Sequence, residues 1–298
     1  MKLLKQKSVY FFLIVILFGI IGIKVTQYKN HVEELRIASI ENNKKIQQMC
    51  ETEKQPICDE LDMYDLPTYS FYSLYENGQE AFLDIINEFI IIAMLILFTT
   101  NLITKYMKNA IIKVELIRKK YKNILIDLSK KIMTISLIPV LAILFIYFFS
   151  YLYTGNLSYN IQDIKSLFIG DILAEKRYIF LIINIINTFI NALIITGITA
   201  IVCRKEHNFI LASIKSFITV IGIELFLEII VSSLLFNIIF KVDYGILFNI
   251  ISIMTYDTTY GVYPKIIVNL SIAIVVFITL YLLYKNKEQL MQDCEKNL

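Results

Sequence analysis

The sequence predicts an all-α polytopic membrane protein with six transmembrane helices. Hydrophobic residues make up 57% of the 298-residue chain, more than in a typical soluble domain. They are concentrated in runs that are long enough to cross a bilayer. Basic residues gather in alternate connecting segments, which is the pattern of the positive-inside rule. We therefore treat residues 1–298 as a single membrane domain.

The first predicted span, residues 9–25, follows three lysines and has no small-residue cleavage site after it. We therefore predict an uncleaved helix rather than a signal peptide. Residues 26–81 are polar and acidic and form a predicted ectodomain, whose first half is expected to prolong the first helix. Cys50 and Cys58 lie in this ectodomain, as either a small disulfide loop or two free thiols.

The other five spans are predicted at residues 82–103, 132–153, 178–203, 220–240 and 266–284. Between the second and third spans, residues 105–131 hold nine of the 29 basic residues and only two acids. The segments predicted to lie inside carry 18 basic and 6 acidic residues, whereas the outer ones, Lys24 included, carry 11 and 17. Both termini and the stretch 105–131 are therefore predicted to be cytoplasmic.

The basic stretch also has a helical face. Its apolar residues recur at spacings of three and four, as Ile111, Val114, Ile117, Tyr121, Ile124 or Leu125, and Leu128. This pattern predicts an amphipathic helix that lies against the inner face of the membrane and leaves other side chains free for a partner. The alternative is a charged linker that only anchors lipid headgroups.

Patterns typical of an intramembrane enzyme do not occur in the sequence. It contains no HExxH pair, no GxSxG elbow and no phosphate-binding loop, and its four cysteines have no zinc-site spacing. Asp59, Asp62 and Asp65 recur every three residues, but in the polar ectodomain, where a solvated acidic face is expected. We predict no catalytic residue, no metal, no cofactor and no nucleic-acid partner for this chain.

Polar residues inside two predicted spans form a candidate substrate path. Glu224 and Glu228 lie one turn apart on the fifth span, and Asn184, Asn187 and Asn191 share one face of the fourth. Ionisable groups at membrane depth usually face a bundle interior or a water-filled path. The alternative is a structural role, in which the acids are hydrogen-bonded to the asparagines.

The order of these features resembles that of permease subunits of type-2 ATP-binding-cassette exporters. In that family an inner-loop motif follows the second span. Its counterparts here are Ile112-Lys113, Leu116-Ile117-Arg118 and Lys122, whereas Ala110-Ile111, Lys119 and Tyr121 replace its Gly-Thr, proline and serine. The resemblance implies that residues 105–131 contain a coupling helix. The implied contacts with an ATPase subunit are Ile112, Lys113, Leu116, Ile117, Arg118, Tyr121 and Lys122.

The resemblance also implies the partners and the activity. ATP and Mg²⁺ would be bound by a separate ATPase chain, and the permease would pair with a second copy or a paralogue in membrane lipid. The expected activity is export of a peptide, drug or other amphipathic substrate across the bacterial plasma membrane. The acidic ectodomain and the membrane acids favour cationic cargo such as an antimicrobial peptide. The alternative is a non-transporting sensor or immunity protein that binds a peptide through its ectodomain.

Overall fold

The computed structural model describes residues 2–53, 90–108, 120–155, 177–206, 208–239, 241, 245–251, 253 and 262–295. This part of the chain is helical and holds no β-strand, as the sequence predicts. The α-helices are α1 (Lys2–Glu53), α2 (Ile92–Lys108), α3 (Tyr121–Ser136), α4 (Ile138–Thr154), α5 (Arg177–Cys203), α6 (Phe209–Leu225), α7 (Val262–Tyr284) and α8 (Lys287–Glu295). A π-helix, Phe226–Ile239, continues α6, and a 3-10 turn covers Gly245–Phe248.

Four helical stretches among the described residues are long and apolar enough to cross a membrane. They are Tyr121–Thr154, Leu181–Cys203, Phe209–Leu234 and Tyr263–Tyr284. The apolar stretch Ile92–Met107 in α2 is shorter, and the start of the second predicted span, residues 82–89, lies outside the described residues. The chain is thus a membrane protein, and the arrangement with six spans stays a prediction.

Two helices have features that the predicted spans do not show. The apolar helical stretch that includes the start of the predicted span 220–240 begins at Phe209, because α6 runs without a break through Lys215, whose ammonium group reaches the Glu206 carboxylate. Between α3 and α4 the helix is interrupted at Leu137. Pro139 causes this break, since it has no N–H to donate to the carbonyl of Ile135.

The described residues fall into two compact units, and the smaller one contains α1 and the part of α4 from Leu144 onward. At 52 residues, α1 is about 78 Å long, so it extends well past a bilayer and includes the first half of the predicted ectodomain. Within this unit the rings of Phe18 and Phe145 lie 4.5 Å apart. The Thr26 hydroxyl donates to the Gly22 carbonyl and also contacts the Tyr153 hydroxyl.

The larger unit is built around α5. This helix packs against α2, α3, α6 and α7, and all ten of its residues from Asn191 to Ala200 are buried. Its contacts are close because it presents small residues: a Cβ atom on Gly197 would lie 2.6 Å from Val276 of α7. The hydroxyl groups of Ser136 and Thr196 are 2.9 Å apart and join α3 to α5. Small and hydroxyl-bearing residues are what membrane helices use where their backbones approach closely.

One end of the larger unit, which we call the basic end, gathers the tips of several helices around one apolar cluster. The cluster contains buried residues of α2, α3, α5, α6, α7 and α8: Ile103, Tyr106, Met107, Leu128, Ile132, Ala200, Cys203, Ala212, Tyr284 and Leu290. Exposed lysines surround it, namely Lys120, Lys122, Lys130, Lys131, Lys205, Lys285 and Lys287. These lysines come from α3, α8 and the segments that flank α3, α5 and α7, so the positive charges that the sequence places on one side of the membrane also lie together in space.

Helix α8 is fixed to the basic end by a buried ion pair as well as by Leu290. A guanidinium nitrogen of Arg204 lies 3.0 Å from an oxygen of Asp293, with side chains that are 2% and 16% exposed. The two groups are in ion-pair contact but are not aligned as a hydrogen bond. The Arg204 guanidinium also lies over the ring of Tyr284, 5.8 Å from its centre. The ion pair ties α8 to the end of α5, and the contact with Tyr284 joins that end to the end of α7.

Replacing Asp293 with alanine should destabilise the protein. The change leaves Arg204 buried without its carboxylate, and breaking a buried pair in this way costs about 3–5 kcal/mol. We expect a clearly lower melting temperature for the detergent-solubilised Asp293→Ala variant. Glu288→Ala, which removes an exposed acid from the same helix, should melt like the natural chain. Equal melting temperatures for all three proteins would show that the ion pair does not hold α8.

Candidate functional site

A cluster of buried polar side chains lies in the larger unit, away from the basic end, and we call it the polar cluster. Its members are Asn184, Asn187, Thr188 and Asn191 of α5, Glu224 of α6, and Lys265 and Asn269 of α7. Each of them is at most 5% exposed. Polar groups at membrane depth are costly to bury and for that reason often mark functional sites.

The asparagines connect α5 with α7. The side-chain nitrogen of Asn269 donates to the side-chain oxygen of Asn187 over 2.7 Å, and both residues are fully buried. Asn184 and Asn191 lie three residues before and four residues after Asn187, so they share its face of α5. The sequence therefore predicted Asn187 of α5 as a site residue, but it did not predict Asn269, its hydrogen-bond partner on α7.

The charged members of the cluster hold the segment that precedes α7. The backbone N–H of Ile250 donates to a carboxylate oxygen of Glu224 over 2.9 Å. The Lys265 ammonium donates to the carbonyl of Asn249 over 3.2 Å, and it also interacts electrostatically with Glu224. Glu224 and Lys265 thus bond to adjacent residues of one segment.

The two membrane acids occupy different environments. Glu224 is buried, whereas Glu228 is exposed and lies outside the polar cluster. Along α6 every fourth residue is buried, namely Ala212, Ser216, Val220 and Glu224. A π-helix follows from Phe226, in which the Ser233 hydroxyl donates to the Glu228 carbonyl. π-Helical segments are rare, and the single-turn bulges in which they mostly occur are frequent at functional sites.

Part of the cluster's hydrogen-bonding capacity is not used by the protein residues that the structure describes. Within that part of the chain, the Thr188 hydroxyl, the Asn269 side-chain oxygen, the Asn187 side-chain nitrogen and one Glu224 carboxylate oxygen find no hydrogen-bond partner. These atoms include both donors and acceptors, and all are closed off from solvent. A polar or cationic group of a substrate could be bound by them.

The predicted coupling residues are divided between described and undescribed positions. Ile112, Lys113, Leu116, Ile117 and Arg118 lie outside the described residues. Residues 105–108 still belong to α2, Lys120 is extended, and α3 begins at Tyr121. The described parts of the stretch 105–131 therefore belong to two separate helices rather than to one.

Helix α3 has the amphipathic character that the sequence predicts, and it is joined firmly to the bundle. Its buried residues are Ile124, Leu128, Ile132 and Ser136. The Tyr121 hydroxyl donates to the backbone carbonyl of Tyr284 at the end of α7. The Tyr284 hydroxyl in turn donates to the carbonyl of Ala200 in α5 over 2.9 Å. Two tyrosines thus link the start of α3 to both α7 and α5, while Lys122 stays exposed.

The cysteines add no site that the structure describes. Cys58 and the side chain of Cys50 lie outside the described residues, so the alternative of disulfide or free thiols stays open. Cys203 is a buried free thiol at the basic end, 3.4 Å from the Thr100 hydroxyl and 3.6 Å from that of Ser216. No cluster of metal-binding side chains occurs among the residues that could be searched.

Alanine substitutions of Glu224 and of Glu228 should differ in their effect on the stability of the protein. Glu224→Ala removes the acceptor of the Ile250 N–H, and leaving a buried donor unsatisfied costs about 1–3 kcal/mol. We expect a lower unfolding midpoint for this variant in a denaturing-detergent titration. Glu224→Gln keeps an acceptor at the same place and should retain most of the stability, and Glu228→Ala should change it little. Equal losses for the two alanine variants would contradict the separation of the two acids.

Comparison with known proteins finds no match, neither to a family model, nor to a curated protein, nor to a solved structure. Arguments about function therefore depend on the residues of this chain. Two of its features bear on that question: the polar cluster, which is buried in a membrane bundle, and the basic end, where α3 is tied to the other helices.

Proposed function

We propose that this chain is the membrane-spanning permease subunit of an ATP-driven exporter of the type-2 ATP-binding-cassette kind. It would move a peptide, drug or other amphipathic substrate across the bacterial plasma membrane, while a separate ATPase subunit hydrolyses ATP. Two copies, or this chain and a paralogue, would form the transport unit. The proposal starts from the layout of the sequence and from its partial match to the coupling-helix motif.

The observation that carries the proposal is the connection of α3 to the rest of the larger unit. An exporter of this kind must transmit movement of its ATPase through a cytoplasmic segment to several spans at once. Here α3 contains the end of the basic stretch 105–131 and is bonded through Tyr121 to α7. Its Leu128 and Ile132 pack in the apolar cluster with residues of α2, α5, α6 and α8. A force on α3 would therefore reach most helices of the unit.

The polar cluster supports a transport role for the same unit. It provides buried donors and acceptors on α5, α6 and α7 without the spacing of a catalytic motif. Glu224 is its one acid among the described residues, and together with the acidic residues 26–81 it favours cationic cargo. The buried Lys265 would moderate this preference. We propose that Glu224, Asn184, Asn187 and Asn191 contact the substrate and that Glu228 does not do so from within the same cluster.

Replacing Leu116 and Arg118 together with alanine should weaken the association with the ATPase. Loss of an aliphatic anchor and a charged contact near the centre of an interface typically costs about 2 kcal/mol or more, which is more than tenfold in affinity. The measurement is co-purification of the ATPase with the tagged chain from native membranes. Insertion of the spans should be unaffected, because the apolar runs remain unchanged.

A matched control for this experiment lies on α1. Arg36 and Ile37 are also a basic and an aliphatic residue, both are exposed, and both belong to the predicted outer segment. Their double alanine variant should keep the ATPase complex. If the variant at Leu116 and Arg118 retains its ATPase and its transport, the coupling assignment is refuted. If the natural chain itself brings down no nucleotide-binding subunit, the alternative of a non-transporting sensor or immunity protein gains support.

A further inference from the structure

We infer that the larger unit binds an anionic phospholipid in an apolar groove between α3 and α7 at the basic end. The groove has a volume of about 190 Å³. Its walls are formed by α3 (Leu125, Leu128, Ser129, Ile132, Met133), Ala200 of α5, and α7 (Phe277, Leu280, Tyr281, Tyr284). The inference requires only that this unit lies in a membrane, so it does not depend on the proposed transport function.

The groove opens toward the surroundings of the bundle. Met133 and Tyr281 at its edge are 47% and 67% exposed, while Ala200 at its floor is fully buried. Both α3 and α7 belong to stretches that can cross a membrane, and the basic end is the predicted membrane surface, so the groove would face the boundary between lipid headgroups and hydrocarbon chains. An engineered apolar cavity of about 150 Å³ is large enough to bind benzene. A groove of the present size can therefore accept a segment of an acyl chain.

Positive charge lies at one end of the groove. Lys122 is on the same stripe of α3 as Leu125, Ser129 and Met133, because spacings of three, four and seven bring residues onto one side of a helix. Lys122 is exposed and lies about one turn before the groove residue Leu125, near the start of α3. Directly after α7, Lys285 follows the groove residue Tyr281 by four positions, and its backbone N–H donates to the Tyr281 carbonyl over 2.9 Å. One lysine from each wall thus stands at the same end.

This arrangement matches the shape and charge of an anionic phospholipid. The apolar groove would hold an acyl chain, and the two lysines would bind the phosphate group at the membrane surface, where polybasic segments attract anionic lipids. The hydroxyl of Ser129 adds one hydrogen-bonding group on the groove wall. A zwitterionic lipid would fill the groove equally well but would gain less from the lysines, so the site should select for negative charge.

The chain contains no tryptophan, so one introduced tryptophan can report on the groove. Met133→Trp places it at the groove edge, and Thr134→Trp places it on an exposed position of α3 that faces away. Each full-length variant is reconstituted in phosphatidylcholine vesicles that contain either brominated phosphatidylglycerol or brominated phosphatidylcholine. Bromine quenches tryptophan fluorescence on contact. We expect stronger quenching of Met133→Trp by the brominated phosphatidylglycerol, and equal quenching of Thr134→Trp by both lipids.

The lysines supply the second arm of the test. A lysine near an anionic surface contributes on the order of fivefold to binding, so Lys122→Gln with Lys285→Gln should abolish the preference of Met133→Trp for phosphatidylglycerol. The control pair, Lys130→Gln with Lys205→Gln, removes the same charge from exposed positions outside the groove and should leave the preference unchanged.

Equal quenching of Met133→Trp by both lipids when all lysines are present, or equal effects of the two lysine pairs, would overturn the inference. Quenching that falls as more protein is packed into each vesicle would place a second copy of the chain in the groove and would overturn it as well.

Discussion

The burial of polar residues along α5 is the constraint on which the larger unit depends. A helix surrounded by other helices in a membrane has no water to satisfy its polar groups, so they must bond to neighbouring helices. Asn187 is bonded to Asn269 of α7, Thr196 to Ser136 of α3, and Cys203 contacts Thr100 of α2. These contacts occur at three levels along α5. They fix its rotation and its depth relative to its neighbours.

The two ends of the unit follow from this arrangement and differ in character. Away from the basic end, the polar groups include the ionisable Glu224 and Lys265, which hold a short segment rather than another long helix. At the basic end, apolar packing, two tyrosine hydrogen bonds and the pair of Arg204 with Asp293 join the helix tips. In the proposed exporter, α5 would pass movement from the closely packed basic end to the polar cluster, because it contributes residues to both.

The sequence predicted the helical class, because long apolar runs admit few other structures in a membrane. Its periodicity also predicted Ile124 and Leu128, two of the four buried residues of α3. It did not predict which residues meet across helices, since Asn269 and Tyr284 carry no local signal of their partners. It also placed Glu224 and Glu228 one turn apart. It did not predict that Glu224 is buried and Glu228 exposed, because burial depends on which helices pack against α6.

The central claim is that the basic end is the cytoplasmic end, where an ATPase can act on α3. The most direct measurement is labelling of one introduced thiol, Lys130→Cys on α3, by a membrane-impermeant reagent in a chain whose four native cysteines are replaced by alanine. Lys44→Cys on α1, in the predicted outer segment, is the control. We expect Lys44→Cys to be labelled in intact cells and Lys130→Cys only after permeabilisation. Labelling of Lys130→Cys in intact cells would contradict the account.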